Sequence, residues 1–157
     1  NRAQKQAAMQ ILKRALSSSC GIGGVVVFSR SGSLQDSRLA YFLGVQNPEL
    51  FLTRSAVHTV LVQTIAARLP KKTSNLHKRH AEPVIVVHGK PNIIGVPLFT
   101  KLGALDSQFW EPREGQYARA VGVVLIELAP ATTLTEKQKE DLQALSAQSA
   151  LVLEHQG

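Results

Sequence analysis

The residues best suited to chemistry in this 157-residue chain are five histidines, one cysteine and a thin scatter of carboxylates. His77 and His80 stand three apart, a spacing that lets two imidazoles share one helix face and one metal ion. They lie, however, among Lys71, Lys72, Lys78 and Arg79, whose charges repel a cation, and no carboxylate cluster completes a ligand set. His58 falls within a helix-like stretch, and His88 ends a strand-like run before Gly89. With a single thiol, Cys20, the chain has neither an internal disulfide nor a thiolate metal cluster. Nucleophilic catalysis fares no better. No Gly-x-Ser-x-Gly elbow is present, and Asp36 and Ser37 sit where turns favour those residues for backbone reasons. Glu111 and Glu114 flank a loop, whereas Glu140 and Asp141 belong to a solvated helix face. The glycines of Gly21-Ile22-Gly23-Gly24 follow a helix instead of opening one and lack the Lys and Ser/Thr of a phosphate loop. The pattern points away from an enzyme, and it implies no metal and no cofactor.

Charge offers a second route to function. A formal net charge of +7 and 44% apolar residues describe a basic globular chain. The densest cations are Arg68, Lys71, Lys72, Lys78 and Arg79, interleaved with His77 and His80 and with no aromatic among them. Without stacking partners this block reads as a solvated loop, and nucleic-acid association through it is the less favoured reading. Lys71, Lys72, Lys78, Arg79 and Trp110 are the candidates for contact with a partner. No apolar run is long enough to span a bilayer, the nearest being the Val- and Ile-rich stretch 121–128. Lone Cys20 is expected to be a small buried residue and fits a reducing compartment, the cytoplasm or an organelle interior. The chain opens on Asn1 and enters a helix at once, which is the expectation for one domain, 1–157, cut from a longer protein.

The elements that must position these residues follow from periodicity. Ala8, Ile11, Leu12 and Ala15 give a helix over 2–18 with Arg2, Lys5, Lys13 and Arg14 free for water. Strands over 24–28 and 39–43 pair as a hairpin around Ser31-Gly32-Ser33. After the Asn47-Pro48 breaker, Thr53 caps a helix over 54–69 that Pro70 ends. Strands follow at 83–88 and 92–101, and Pro97 inside the second must turn its missing donor toward an edge, a bulge or a pocket. A polar insertion at 103–116 carries Trp110. The run 118–128 is apolar on both faces, as a strand deep in a sheet requires. Thr135 and Gln138 form a capping box for a helix over 135–155, with Leu142, Leu145, Ser149 and Val152 inward. The order gives an α+β fold: a central antiparallel sheet of five to six strands with the N- and C-terminal helices packed on one face. A sheet half covered in this way leaves a cleft, for which Phe28, Tyr41, His88 and Phe99 are lining candidates and Arg54 an anion anchor.

Several stretches in this order resemble the GAF family of sensor modules. Gly23-Gly24 leading into Val25-Val26-Val27-Phe28 resembles its first strand, and Asn92 to Phe99 its Val-Pro-Leu strand. Ala120 to Ile126 resembles its Gly-Val-Leu strand, and Leu134-Thr135-Glu136 with Ala147-Gln148-Ser149-Ala150 its closing helix. The resemblance implies a non-catalytic sensory or regulatory module that binds a small ligand or a protein and forms a homodimer through its end helices. Ala8, Leu12, Ala15, Leu145 and Val152 would supply that seam, although packing on the sheet within the chain uses the same residues. The Asn-Lys-Phe-Asp-Glu signature of cyclic-nucleotide modules is absent, as is a Cys-His dipeptide for bilin attachment. One cysteine cannot run the cycle of the family's methionine-sulfoxide reductases. Two alternatives stand beside the sensor reading: a protein-docking scaffold that has lost its ligand, and a nucleic-acid-associated regulator using the basic 68–80 segment.

Overall fold

A computed structural model describes residues 2–29, 33–70, 87–89, 92–99 and 117–154. The elements are α1 (Arg2–Ser19), β1 (Gly23–Ser29), a short 3-10 turn (Leu34–Asp36), β2 (Ser37–Leu43), α2 (Pro48–Thr53) and α3 (Ser55–Ile65). They continue with β3 (Arg68–Pro70), β4 (Val87–Gly89), β5 (Ile93–Leu98), β6 (Tyr117–Arg119), β7 (Gly122–Glu127) and α4 (Glu136–Glu154). Five strands make one sheet in the order β2-β1-β7-β5-β4, while β3 and β6 form a separate ladder. Every neighbouring pair is antiparallel.

The sheet divides the core into two clusters because successive strand residues point to opposite faces. Val26, Val124, Ile126, Ile94, Val96 and Leu98 meet Ala8, Ile11, Leu12 and Ala15 of α1 and Leu142 and Leu145 of α4. On the other face Val25, Val27, Val123, Leu125 and Ile93 meet Phe51 of α2 and Val57, Val60, Leu61 and Ile65 of α3. The terminal helices therefore share one face, and the second face is covered as well. The expectation of a half-covered sheet is corrected on this point. Val57, Val60, Leu61 and Ile65 keep a helical spacing, and a stripe of that kind must be buried somewhere.

Helix boundaries follow local chemistry. Asn47 accepts from the Leu50 N–H at 3.0 Å and starts α2, with Pro48 in the first turn. Thr53 is not the cap expected of it, since its hydroxyl donates to the Leu50 carbonyl at 2.8 Å. The backbone turns to ψ 135° at Arg54, and α3 begins afresh at Ser55. It stops at Ile65, short of the expected Leu69, because Arg68–Pro70 pairs with Tyr117–Arg119. That pairing also separates β6 from β7 within the expected single strand 118–128. The capping box of α4 forms reciprocally, Gln138 N–H to Thr135 Oγ1 at 3.1 Å and Thr135 N–H to Gln138 Oε1 at 2.8 Å.

At the end of α1 the Gly21 N–H reaches the Leu16 carbonyl at 3.3 Å, the six-to-one bond of a Schellman turn. The left-handed residue inside it is Cys20, at φ 58°, where glycine usually stands. Its side chain is exposed, which corrects the expectation of a buried thiol. Elsewhere Gly95 of β5 brings α3 into close contact. A methyl group there would overlap the Thr64 hydroxyl and come within 2.8 Å of Val60 Cγ1.

Two outcomes follow for stability. Cys20→Gly removes a left-handed penalty of about 1–2 kcal/mol against the added entropy of an unfolded glycine, a net gain of roughly 0.5–1 kcal/mol. Urea titration reads this as a higher midpoint, and an unchanged or lower midpoint contradicts it. Gly95→Ala overpacks the α3–β5 contact and lowers stability by about 1–3 kcal/mol. Equal midpoints for that variant and the parent would show that α3 does not rest on β5.

Candidate functional site

An ion pair joins a helical layer to the sheet at the junction of α2 and α3. Arg54 occupies the position between the two helices, and its guanidinium is 3.7 Å from Glu127 Oε2 at the end of β7. The same guanidinium carbon stands 5.7 Å from the centre of the Phe51 ring. The Arg54 and Glu127 side chains are 41% and 31% exposed, so solvent screens the pair and its net worth is small. Phe51 itself is buried and anchors α2 in the core. An exposed cation over a fixed ring beside a carboxylate can exchange its partner for a ligand anion at little expense.

Two of the other lining candidates lie on the face of the sheet away from α3. Phe28 and Tyr41 are half-buried and pack against the cluster beneath α1 and α4, on the opposite face from α3. Tyr41 pairs in register with Val26, and a bulge at Ala40 separates it from the pairing of Leu39 with Val27. Phe99 is buried just beyond β5. His88 lies opposite Ile94 in the β4–β5 ladder, where the description extends to its backbone. Lys71, Lys72, Lys78, Arg79 and Trp110, named for partner contact, lie outside the described residues.

The packing bears on the residues named for a dimer seam. Ala8, Leu12, Ala15 and Leu145 are all buried within the chain, against the sheet and each other. They cannot present an apolar stripe to a second copy while this packing holds. Val152 lies in the part of α4 whose side chains are outside the description.

Polar residues missed by the sequence reading join the layers. Ser146 is buried in α4 and donates to the Pro97 carbonyl of β5 at 2.6 Å. Leu128 N–H bonds the Asn92 carbonyl, so by strand alternation the backbone of Pro97 points away from β7. The missing donor of proline is thus lost to no bond of the β5–β7 ladder. Position 146, one turn after Leu142 and next to Leu145, was the available signal for an inward serine. On β1, Ser29 Oγ lies 2.5 Å from Asp36 Oδ1 and 2.8 Å from the Ser33 carbonyl, closing the connection into β2. Among the described residues no group of three or more His, Cys, Asp or Glu converges as a metal site. Among them, too, no helix is long and apolar enough to cross a membrane.

No model of a protein family matches the chain, and none of the curated proteins compared with it does. Among solved structures the chain is similar to the GAF domain of a protein assigned as a sensor histidine kinase from Pseudomonas syringae pv. tomato. The identity is 16% over 98% of this chain and 82% of that one, with a TM-score of 0.48. It is also similar to the GAF domain of an Acinetobacter phosphoenolpyruvate-protein phosphotransferase, at 12% identity over 98% of this chain and 92% of that one, with a TM-score of 0.47.

Proposed function

We propose that this chain is a non-catalytic sensory or regulatory module of the GAF type, in which the α2–α3 layer receives a small ligand or protein and the α1–α4 layer responds. The observation that supports this reading most is the position of β7. Its Val123 and Leu125 lie under α3, its Val124 and Ile126 lie under α1 and α4, and its last residue, Glu127, pairs with Arg54. A ligand that takes Arg54 from Glu127 acts on the strand that leads directly into α4. A single thiol supports a reducing setting for this module, the cytoplasm or an organelle interior. A homodimer belongs to the reading only through a surface other than the buried Ala8, Leu12, Ala15 and Leu145. The docking-scaffold alternative rests on Trp110 and the basic segment, outside the described residues.

Arg54→Gln tests the coupling without knowledge of the ligand. In amide-resolved NMR the substitution is expected to shift signals along β7 and into the first turns of α4, around Gln138 and Leu142, as well as in α2 and α3. Shifts confined to α2 and α3 would remove the basis for transmission through β7. Native mass spectrometry of the purified protein then asks whether a small molecule is retained.

A further inference from the structure

Between β7 and α4 the chain turns over Ala129-Pro130-Ala131-Thr132, where the Thr132 N–H bonds the Ala129 carbonyl at 3.2 Å. Proline second and a left-handed residue third make a type II turn, whose third residue is as a rule glycine or asparagine. Here it is Ala131, at φ 63°. Leu128 and Leu134 are buried, but the residues between them are exposed or half-buried, so packing does not dictate the turn. A bond from another element reaches it. Asn92, itself left-handed at φ 36° just before β5, donates its side-chain amide to the Ala129 carbonyl at 3.0 Å. Its own carbonyl accepts from the Leu128 N–H at 2.9 Å. The third left-handed non-glycine residue among the described residues is Cys20, and it borders the same place. Two residues on, the Ile22 N–H bonds the Glu127 carbonyl at 2.8 Å, and the Gln138 amide nitrogen of α4 stands 3.9 Å from Cys20 Sγ. All three positions where a side chain is disfavoured by its backbone thus gather around the exit of β7.

We infer that residues 129–132 form a latched joint, a two-state turn that sets the position of the start of α4. In the latched state the Asn92 amide holds the Ala129 carbonyl, and Ala131 is kept in a conformation that is costly for a residue with a Cβ. Release of the amide lets Ala131 return to the right-handed or extended region. It frees the first turn of α4, while Leu142 and Leu145 stay in the core. Backbone strain persists only where its surroundings over-determine it, and a glycine at 131 would make the same turn without strain. The opposing terms are similar in size, a part-buried carbonyl left without a donor against a left-handed penalty, so the two states are close in free energy. The inference rests on the reading that α4 responds, and the joint begins two residues beyond Glu127, the partner of Arg54. It concerns how the start of α4 is released, not what releases it, and so is tested on the protein alone.

Amide hydrogen exchange, followed by NMR across sub-denaturing urea, tests it. The reporters are Thr132, whose N–H bonds Ala129, and Lys139, whose N–H bonds the Thr135 carbonyl at 3.0 Å in the first turn of α4. In the parent protein both should exchange through a local opening, at rates that do not change with urea, whereas buried Leu12 and Leu61 should follow global unfolding. Asn92→Asp keeps the size and the tolerance of a left-handed backbone but removes the amide donor. It should speed exchange at both reporters roughly 10-fold. Ala131→Gly relieves the strain and should slow exchange about 3-fold, and it reads the joint even if the Asn92 variant folds poorly. In the double variant the glycine should offset part of the acceleration. A purely global stabilising role for Asn92 would leave locally opening amides unmoved. Three results would overturn the proposal: Thr132 and Lys139 rates that climb with urea alongside Leu12 and Leu61, no change on Asn92→Asp, or faster exchange on Ala131→Gly. An Arg54→Gln variant without shifts along β7 would leave these rates as they are, so the joint and the sensing role of Arg54 fail separately.

Discussion

Two strands that are apolar on both faces, lying side by side in the middle of the sheet, set the terms for everything else in this fold. β1 presents Val25, Val26 and Val27 in succession, and β7 presents Val123, Val124, Leu125 and Ile126, all of them buried. Because consecutive side chains alternate, neither face can be left to water without exposing half of this set. Each such side chain gains about 1.5–3 kcal/mol from full burial, so an uncovered face would forfeit several times the margin by which domains are stable. Hence α1 and α4 cover one side, α2 and α3 the other, and the strands β2, β5 and β4 complete the width between them.

Covering both faces forces helices close to backbone, and the chain meets that demand with small residues and self-sufficient hydroxyls. A methyl group on Gly24 would come within 3.2 Å of Leu12 Cδ1 beneath α1, and Gly95 plays the equivalent part beneath α3. Ser19 and Thr64 are buried but donate to carbonyls four residues back in their own helices, at 2.7 and 2.6 Å. They need nothing from the sheet and so add no directional bond between layers. Ser146 differs. Its hydroxyl crosses to Pro97, a carbonyl turned away from β7, and that bond fixes α4 along the length of β5. Leaving such a carbonyl without a donor costs about 1–3 kcal/mol, more than the bond adds when made, so the register of α4 is specified chiefly by the penalty for losing it.

What could be read from the sequence was local, and what could not depended on partners distant in the chain. The capping box at Thr135 and Gln138 was legible because donor and acceptor are three residues apart. The stripe of α1 was legible because four apolar residues repeat at helical spacing. By contrast, nothing near Arg68 announces that it pairs with Arg119, so the expected helix ran past Ile65. Arg54 was legible as a cation at a helix start, but its partner Glu127 comes from the far end of the chain. Cys20 was misplaced because a lone thiol is usually buried, whereas a Schellman turn needs a left-handed residue here and leaves its side chain outside. Ala8, Leu12, Ala15 and Leu145 could be read as apolar but not assigned to a surface: one apolar stripe per helix serves one surface, and here it lies on the sheet.

The first and last helices are held in different ways. α4 opens with a reciprocal cap and Glu136 at the positive end of its dipole, so its start is stabilised by its own residues. α1 opens with no acid, and Arg2 and Lys5 stand near the end of the helix that disfavours cations, each at a cost of about 0.3–1 kcal/mol. Its inward residues from Ala7 to Ala15 are almost fully buried. The middle of α1 is thus held by the sheet.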